Sequence, residues 1–288
     1  MFVPPKPGSP RPLWVAGGAV FALLAVIAAV DLVLFRSSQH GRARYDDIQV
    51  TLAPSVHLQS LPWSGRLPNA GADQFAVSPG GGLVVRIGGA LYDFADGEKL
   101  LSGGENKIQS FALVDGALVV ITANGRLGYV SDGSIDEVGE APLQVSRMAS
   151  SENSEQLFLY GGSSNYSLLA LGADGVHPLA RAPEMIEAVA GDSQRHAFSV
   201  GNSLFLQSGS EKPVMLLDFP DTTITGLALS GDVIFCATNK GIYQLQGALA
   251  IPLVLGMGGQ LRLTPDGLLV LNPDNGRLYR LVFMSGRQ

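Results

Sequence analysis

The sequence predicts an all-β domain, a six-bladed β-propeller of four-stranded blades, preceded by one transmembrane helix. Three observations carry that prediction. A strand–turn–strand pattern occurs six times between residues 82 and 282. One aliphatic position in each copy (Leu91, Leu127, Leu168, Leu204, Ile242, Leu278) recurs at intervals of 36, 41, 36, 38 and 36 residues, the period of a propeller blade. Residues 13–35 carry a single charge, Asp31. As a helix they span about 34 Å, enough for a ~30 Å hydrocarbon core.

Composition agrees. The chain has 288 residues, 46% apolar and 15% charged, with 36 Gly and 17 Pro. That much apolar content supports a packed core and excludes general disorder. One Cys excludes a disulfide framework and a Cys-cluster zinc site. A net charge of −6 speaks against nucleic-acid binding.

Residues 1–12 form a Pro-rich tail whose charged side chains are Lys6 and Arg11. The apolar run at 13–35 is longer than a signal-peptide core of ~7–15 residues, so it reads as an uncleaved signal anchor. Asp31 lies one helical turn before Phe35, within reach of the interface, and reads as structural. Residues 36–44 form a basic juxtamembrane linker with Arg36, Arg42 and Arg44. Bases flank both sides of the span, so local charge hardly decides the orientation. The favoured topology is single-pass, with the amino terminus inside and the C-terminal domain outside. The domain at 45–288 retains 14 bases and 24 acids, a net −10, which keeps it off anionic surfaces.

Each repeat is a hairpin, at 82–94, 117–130, 156–171, 196–207, 233–245 and 268–282. Turns such as Asn124-Gly125, Lys240-Gly241 and Asn275-Gly276 supply residues that tolerate positive φ. A shorter strand precedes each hairpin, at 74–77, 109–113, 145–149, 187–190, 225–229 and 260–263. A fourth, more variable run follows the first five. The sixth unit stops after its third strand. A spare β-run at 48–59 is expected to supply the missing outer strand and close the ring, leaving no long edge exposed.

The hairpins, of which GALYDFADGEKLLSG at 89–103 is an example, resemble the blades of β-propeller repeat proteins of the bacterial periplasmic, quinoprotein-like or WD40-like kinds. The resemblance covers about 245 residues and names an architecture, no specific family. Trp14 and Trp63 both lie outside the repeats, so the quinoprotein blade Trp is missing, as is the WD40 signature. Propellers host many unrelated functions.

Chemistry is sparse. His40, His57, His177 and His196 have no metal-ligand spacing. Cys236 sits inside an apolar strand and reads as core. Gly80-Gly81-Gly82 reads as a hairpin turn, since no Lys-Ser/Thr follows. Asp132-Gly133 with Asp136 and Glu137, and the NPDNG run at 272–276, read as turns lacking calcium-loop spacing. Asn165-Tyr166-Ser167 has the form of a glycosylation sequon. The innermost strands align Ala76, Ala112, Met148, Val189, Ala228 and Arg262 at one level. Arg262, with Arg147 beside that level, breaks a small apolar pattern. Both are candidate anion- or partner-binding residues.

These readings point to a membrane-anchored, non-catalytic protein-binding scaffold in a bacterial envelope assembly. It would sit in the inner membrane with its domain in the periplasm. No catalytic residue, cofactor or metal is implied. A sensor for a small anion or glycan near Arg147 and Arg262 is the alternative, and a propeller hydrolase or lyase the third.

Overall fold

The computed structural model describes residues 40–45, 48–104, 107–142, 145–153, 155–162, 166–172, 175–192 and 194–284. The tail, the apolar run at 13–35 with Asp31, linker residues 36–39 and Asn165 of the sequon lie outside the described residues. Among the described residues no helix is long and apolar enough to cross a membrane.

Among the described residues every element is a strand, as period-2 alternation and frequent turns predict, and the strands form six antiparallel blades. Blade one is β4 (Gln74–Val77), β5 (Leu83–Ile87), β6 (Ala90–Asp93) and β7 (Lys99–Leu101). Blade two is β8 (Ile108–Val114), β9 (Ala117–Thr122), β10 (Arg126–Ser131) and β11 (Ser134–Glu140). Blade three is β12 (Arg147–Ser150), β13 (Leu157–Tyr160), β14 (Ser167–Gly172) and β15 (Gly175–Arg181). Blade four is β16 (Ile186–Gly191), β17 (Arg195–Val200), β18 (Ser203–Ser208) and β19 (Val214–Asp218). Blade five is β20 (Ile224–Ser230), β21 (Val233–Thr238), β22 (Gly241–Gln246) and β23 (Leu249–Leu255). Blade six has β24 (Gln260–Thr264), β25 (Gly267–Asn272) and β26 (Arg277–Phe283).

The spare N-terminal run closes the ring, but as two strands rather than one. Ala53 and Val56 form a turn, the Val56 amide donating to the Ala53 carbonyl at 3.1 Å. Beyond it β3 (Val56–Ser60) pairs antiparallel with β26 and completes blade six. Before it β2 (Ile48–Leu52) pairs with the end of β23, setting Thr51 opposite Leu255. Linker residues from His40 on, with Tyr45, form β1 (His40–Tyr45), which neighbours β2 as the outermost strand of blade five's sheet.

The landmark aliphatics explain the period physically. In all five blades built from consecutive strands, the outer strand carries a β-bulge opposite this residue: at Leu91, Leu127, Leu168, Leu204 and Ile242. The extra residues are Leu100, Val138, Leu179, Leu216 and Leu253, so an aliphatic side chain occupies each bulge. A bulge raises local twist. Blade six, closed by β3, pairs Tyr279 with Ser60 and Phe283 with Val56 without a shift.

The core is six clusters, each between neighbouring blades. Phe75 and Val85 of blade one meet Leu269, Leu271 and Leu278 of blade six. At the opposite side of the ring Phe158 and Leu168 of blade three meet Val189 and Phe198 of blade four. Burying a side chain such as Leu168 or Leu204 contributes about 1.5–3 kcal/mol. The repeats are therefore held by apolar side chains packed between neighbouring sheets. Trp63 belongs to this packing although it lies outside the repeats: it meets Phe94 edge-on and supports the seam cluster. Arg277 stacks over its ring at 4.3 Å.

Candidate functional site

The innermost strands β4, β8, β12, β16, β20 and β24 surround an axial cavity with about 70 Å³ of room for water-sized molecules. These strands have no further sheet neighbour, so their inward backbone groups need other partners. Polar side chains at one level supply them. The Gln260 amide accepts from the Phe75 N–H (3.1 Å) and donates to the Phe75 carbonyl (2.9 Å). Gln74 does the same for Phe111, at 3.3 and 2.8 Å. The Ser110 hydroxyl accepts from the Met148 amide at 2.9 Å. Arg147 donates to the Glu187 carbonyl at 2.8 Å. Each bond runs to the next blade. Polar side chains thus stand in for a missing strand, the Gln260 and Gln74 amides meeting both backbone groups of one residue.

Two residues further along, the register corrects the sequence alignment at two positions. Ala149 lies opposite Phe158 and Ala190 opposite Ala197, so these two, not Met148 and Val189, are level with Ala76, Ala112, Ala228 and Arg262. Five alanines and one arginine share this level. The alanines leave the width that the arginine uses.

Arg262 crosses the axis to the opposite blade. It donates to the carbonyls of Ser150 (2.8 Å), Ser151 (2.7 Å) and Glu152 (3.4 Å). Its guanidinium lies 3.7 Å from the Glu152 carboxylate, both side chains largely buried. Glu152 accepts from the Leu229 amide of blade five at 3.0 Å and donates its own amide to the Gly191 carbonyl of blade four at 2.7 Å. The turn after β12 therefore links blades three, four, five and six. Burial pushes the Glu152 carboxyl above its ordinary value, against the pull of Arg262 and of the Leu229 amide, with a further push from Asp192.

Arg147 and Arg262 are not brought together. Arg147 opens β12 at the other end of the inner strands, paired with Glu187 at 2.7 Å. Beside it the Tyr160 hydroxyl is pushed up to about 12 by burial, against the pull of Arg147. Cys236 is fully buried and its thiol pushed up to about 12, so it is a poor nucleophile. His57 and His177 are exposed on β3 and β15. His196 is buried, and burial lowers its pKa. Among the described residues no group of three His, Cys, Asp or Glu could hold a metal ion. Asp115-Gly116 and Asp132-Gly133 are two-residue turns with positive φ at both positions, and NPDNG is a turn in which Asn272 and Asn275 accept backbone amides.

Sequence reasoning missed Glu152 and Arg280. A signal for the first exists: the turn at 151–156 is longer than the two-residue turns of blades two, five and six, and contributes to the one 41-residue interval. Arg280, on β26, lines a second cleft between blades six and one, with Asp266, the Gly80-Gly81 turn and the Arg262 and Glu152 that also line the axial cavity.

No protein-family model matches the chain, and no curated protein matches it. Solved structures share its fold. The gluconolactonase XC5397 from Xanthomonas campestris matches with TM-score 0.60 and 13% identity, over 84% of this chain and 91% of that one. The extracellular domain of BT4673 from B. thetaiotaomicron, described as a one-component system, matches at 0.54 and 13%, over 78% of this chain and 40% of that one. PorZ, a surface component of the type-IX secretion system of Porphyromonas gingivalis, matches at 0.50 and 19%, over 80% of this chain and 33% of that one. This chain spans well under two thirds of the last two. Likeness at such identity shows a β-propeller and leaves activity open.

Proposed function

We propose that this chain is a membrane-anchored, non-catalytic scaffold that binds a protein partner in a bacterial envelope assembly. Residues 13–35 are its single-pass anchor in the inner membrane, and the propeller lies on the periplasmic side. One observation carries the reading: the polar side chains around the axis are bonded to the ring itself, whereas blade four offers an unprotected edge.

The edges differ in how they are defended. β7 is three residues long. β11 carries Asp136, Glu137 and Glu140. β15 contains Pro178. β23 is partly covered by β2. β19 follows Pro213, ends at Asp218 and is apolar from Val214 to Leu217, with Val214 and Met215 61% and 58% exposed. An apolar edge segment is a template for another strand, and a partner adding one would gain main-chain hydrogen bonds and two side-chain contacts. The likeness to a secretion-system component is compatible with this role.

The test places a photo-crosslinking residue at Met215 of the full-length chain in cells. The expected result is one discrete adduct with an envelope protein in the carbonate-resistant membrane fraction, lost when Val214→Lys is added. A chain released by carbonate, or no adduct at Met215 or on the neighbouring edges, overturns the proposal.

A further inference from the structure

We infer that the cleft between blades six and one binds a carboxylate attached to an apolar body, with Arg280 as the anion-binding residue. This stands on observations separate from the blade-four edge.

The cleft has a volume of about 560 Å³, within the range of small-molecule sites. Its walls are apolar where they belong to the blades: Val77 and Leu83 on one side, Leu263 and Leu269 on the other. Four charged side chains line it. Arg262 and Glu152 are committed to each other and to backbone groups across the axis. That leaves Arg280 and Asp266.

Arg280 is poorly matched. Its Nε is buried with no hydrogen-bond partner. Its Nη1 lies 3.8 Å from Asp266, whose side chain is 73% exposed while that of Arg280 is 27% exposed. A loose pair with a solvated carboxylate is weak, and the guanidinium has already lost water on one edge. An incoming carboxylate reaches the exposed terminal nitrogens in the planar, two-point geometry that arginine favours. The charge selects a monoanion, because Glu152 and Asp266 on the same walls repel a second negative charge. The apolar walls select the body. Such a group is either a free aliphatic or aromatic acid or the C-terminus of a chain ending in an apolar residue.

The experiment titrates the full-length chain with hexanoate, with hexanol as the neutral control, and with a Leu-terminated tetrapeptide bearing a free or an amidated C-terminus, by calorimetry. Binding by hexanoate but not hexanol is expected, weakened at least tenfold by Arg280→Gln. Tighter binding of the free-carboxylate peptide than of its amide identifies a chain terminus; binding of hexanoate alone identifies a small acid. Asp266→Asn, which removes the competing carboxylate and lies on an exposed turn, is expected to tighten binding several-fold and keeps the test independent of the folding of Arg280→Gln. Equal binding of hexanoate and hexanol, no binding by any probe, or unchanged affinity in both variants overturns the inference.

Discussion

Replacing Arg262 with Met tests the account of the axis most directly. The substitution keeps a long apolar stem and removes a guanidinium that donates to the Ser150 and Ser151 carbonyls and faces Glu152 at 3.7 Å. The arginine and glutamate side chains are 14% and 17% exposed, so screening by water is slight. Removing one member of a buried pair costs roughly 3–5 kcal/mol, because the other charge stays behind; residual exposure favours the lower end, about 3 kcal/mol. For a propeller domain of this size that is a fall of roughly 6–12 °C in Tm. Adding Glu152→Gln removes the stranded charge while keeping an acceptor for the Leu229 amide, and is expected to restore about 2 kcal/mol. The loss also has a pH sign. The folded Glu152 carboxyl is already raised, and without Arg262 it rises further. Its burial cost is full at pH above the raised value and vanishes as pH falls towards the ordinary 4.5. Denaturant unfolding of the single and double variants at pH 8 and pH 5 measures this. A single-variant loss below about 1 kcal/mol, or one that Glu152→Gln and acid leave untouched, refutes the reasoning.

Outcomes at four further positions follow from the same structure. Gln260→Leu strands the Phe75 N–H and carbonyl and is expected to cost about 2 kcal/mol; Gln260→Glu should cost more at pH 7, where it sets a carboxylate against the Phe75 carbonyl, and less at low pH, both read by denaturant titration. Gly226→Ala drives a Cβ into the Gly259 carbonyl oxygen and to 2.8 Å from the Leu261 amide nitrogen, with an expected loss of about 2–3 kcal/mol. Gly65→Ala, which meets nothing within 4 Å, should stay within about 0.5 kcal/mol. His196 is held neutral by burial, its folded pKa below the ordinary 6.5. The unfolded chain therefore binds the proton first, so stability falls as pH drops below about 6.5 and levels off beneath the depressed value. A stability–pH profile of His196→Leu lacking that slope checks it.

The architecture was legible because its cause is local and repeated. Each landmark aliphatic is buried between neighbouring blades, and five of the six also stand opposite a bulge. What was not legible depends on single residues. Pro54 and Ser55 divide the 48–59 run into β2 and β3, and the pattern alone does not show that the first half serves a different blade from the second. Val189 falls one position off beside the irregularity of β16 between Ile186 and Val189, where counting residues no longer tracks level; Met148 falls one residue before Ala149 on β12, which pairs with β13 without a shift. Arg262 stood out by breaking a small apolar pattern, but its partners, Ser150 to Glu152, lie 110–112 residues away. Only closure of the ring brings them opposite.

The contrast between Arg262 and Arg280 separates holding the ring from binding. Both sit at the blade-six side of one cleft. Arg262 makes three backbone hydrogen bonds and a buried ion pair, so an anion would have to replace contacts that tie opposite blades together. Arg280 has one loose partner and a buried nitrogen without any, so an anion adds contacts and removes few. Differential gain, not charge alone, decides where a ligand binds. It favours the seam between the first and last blades over the axis.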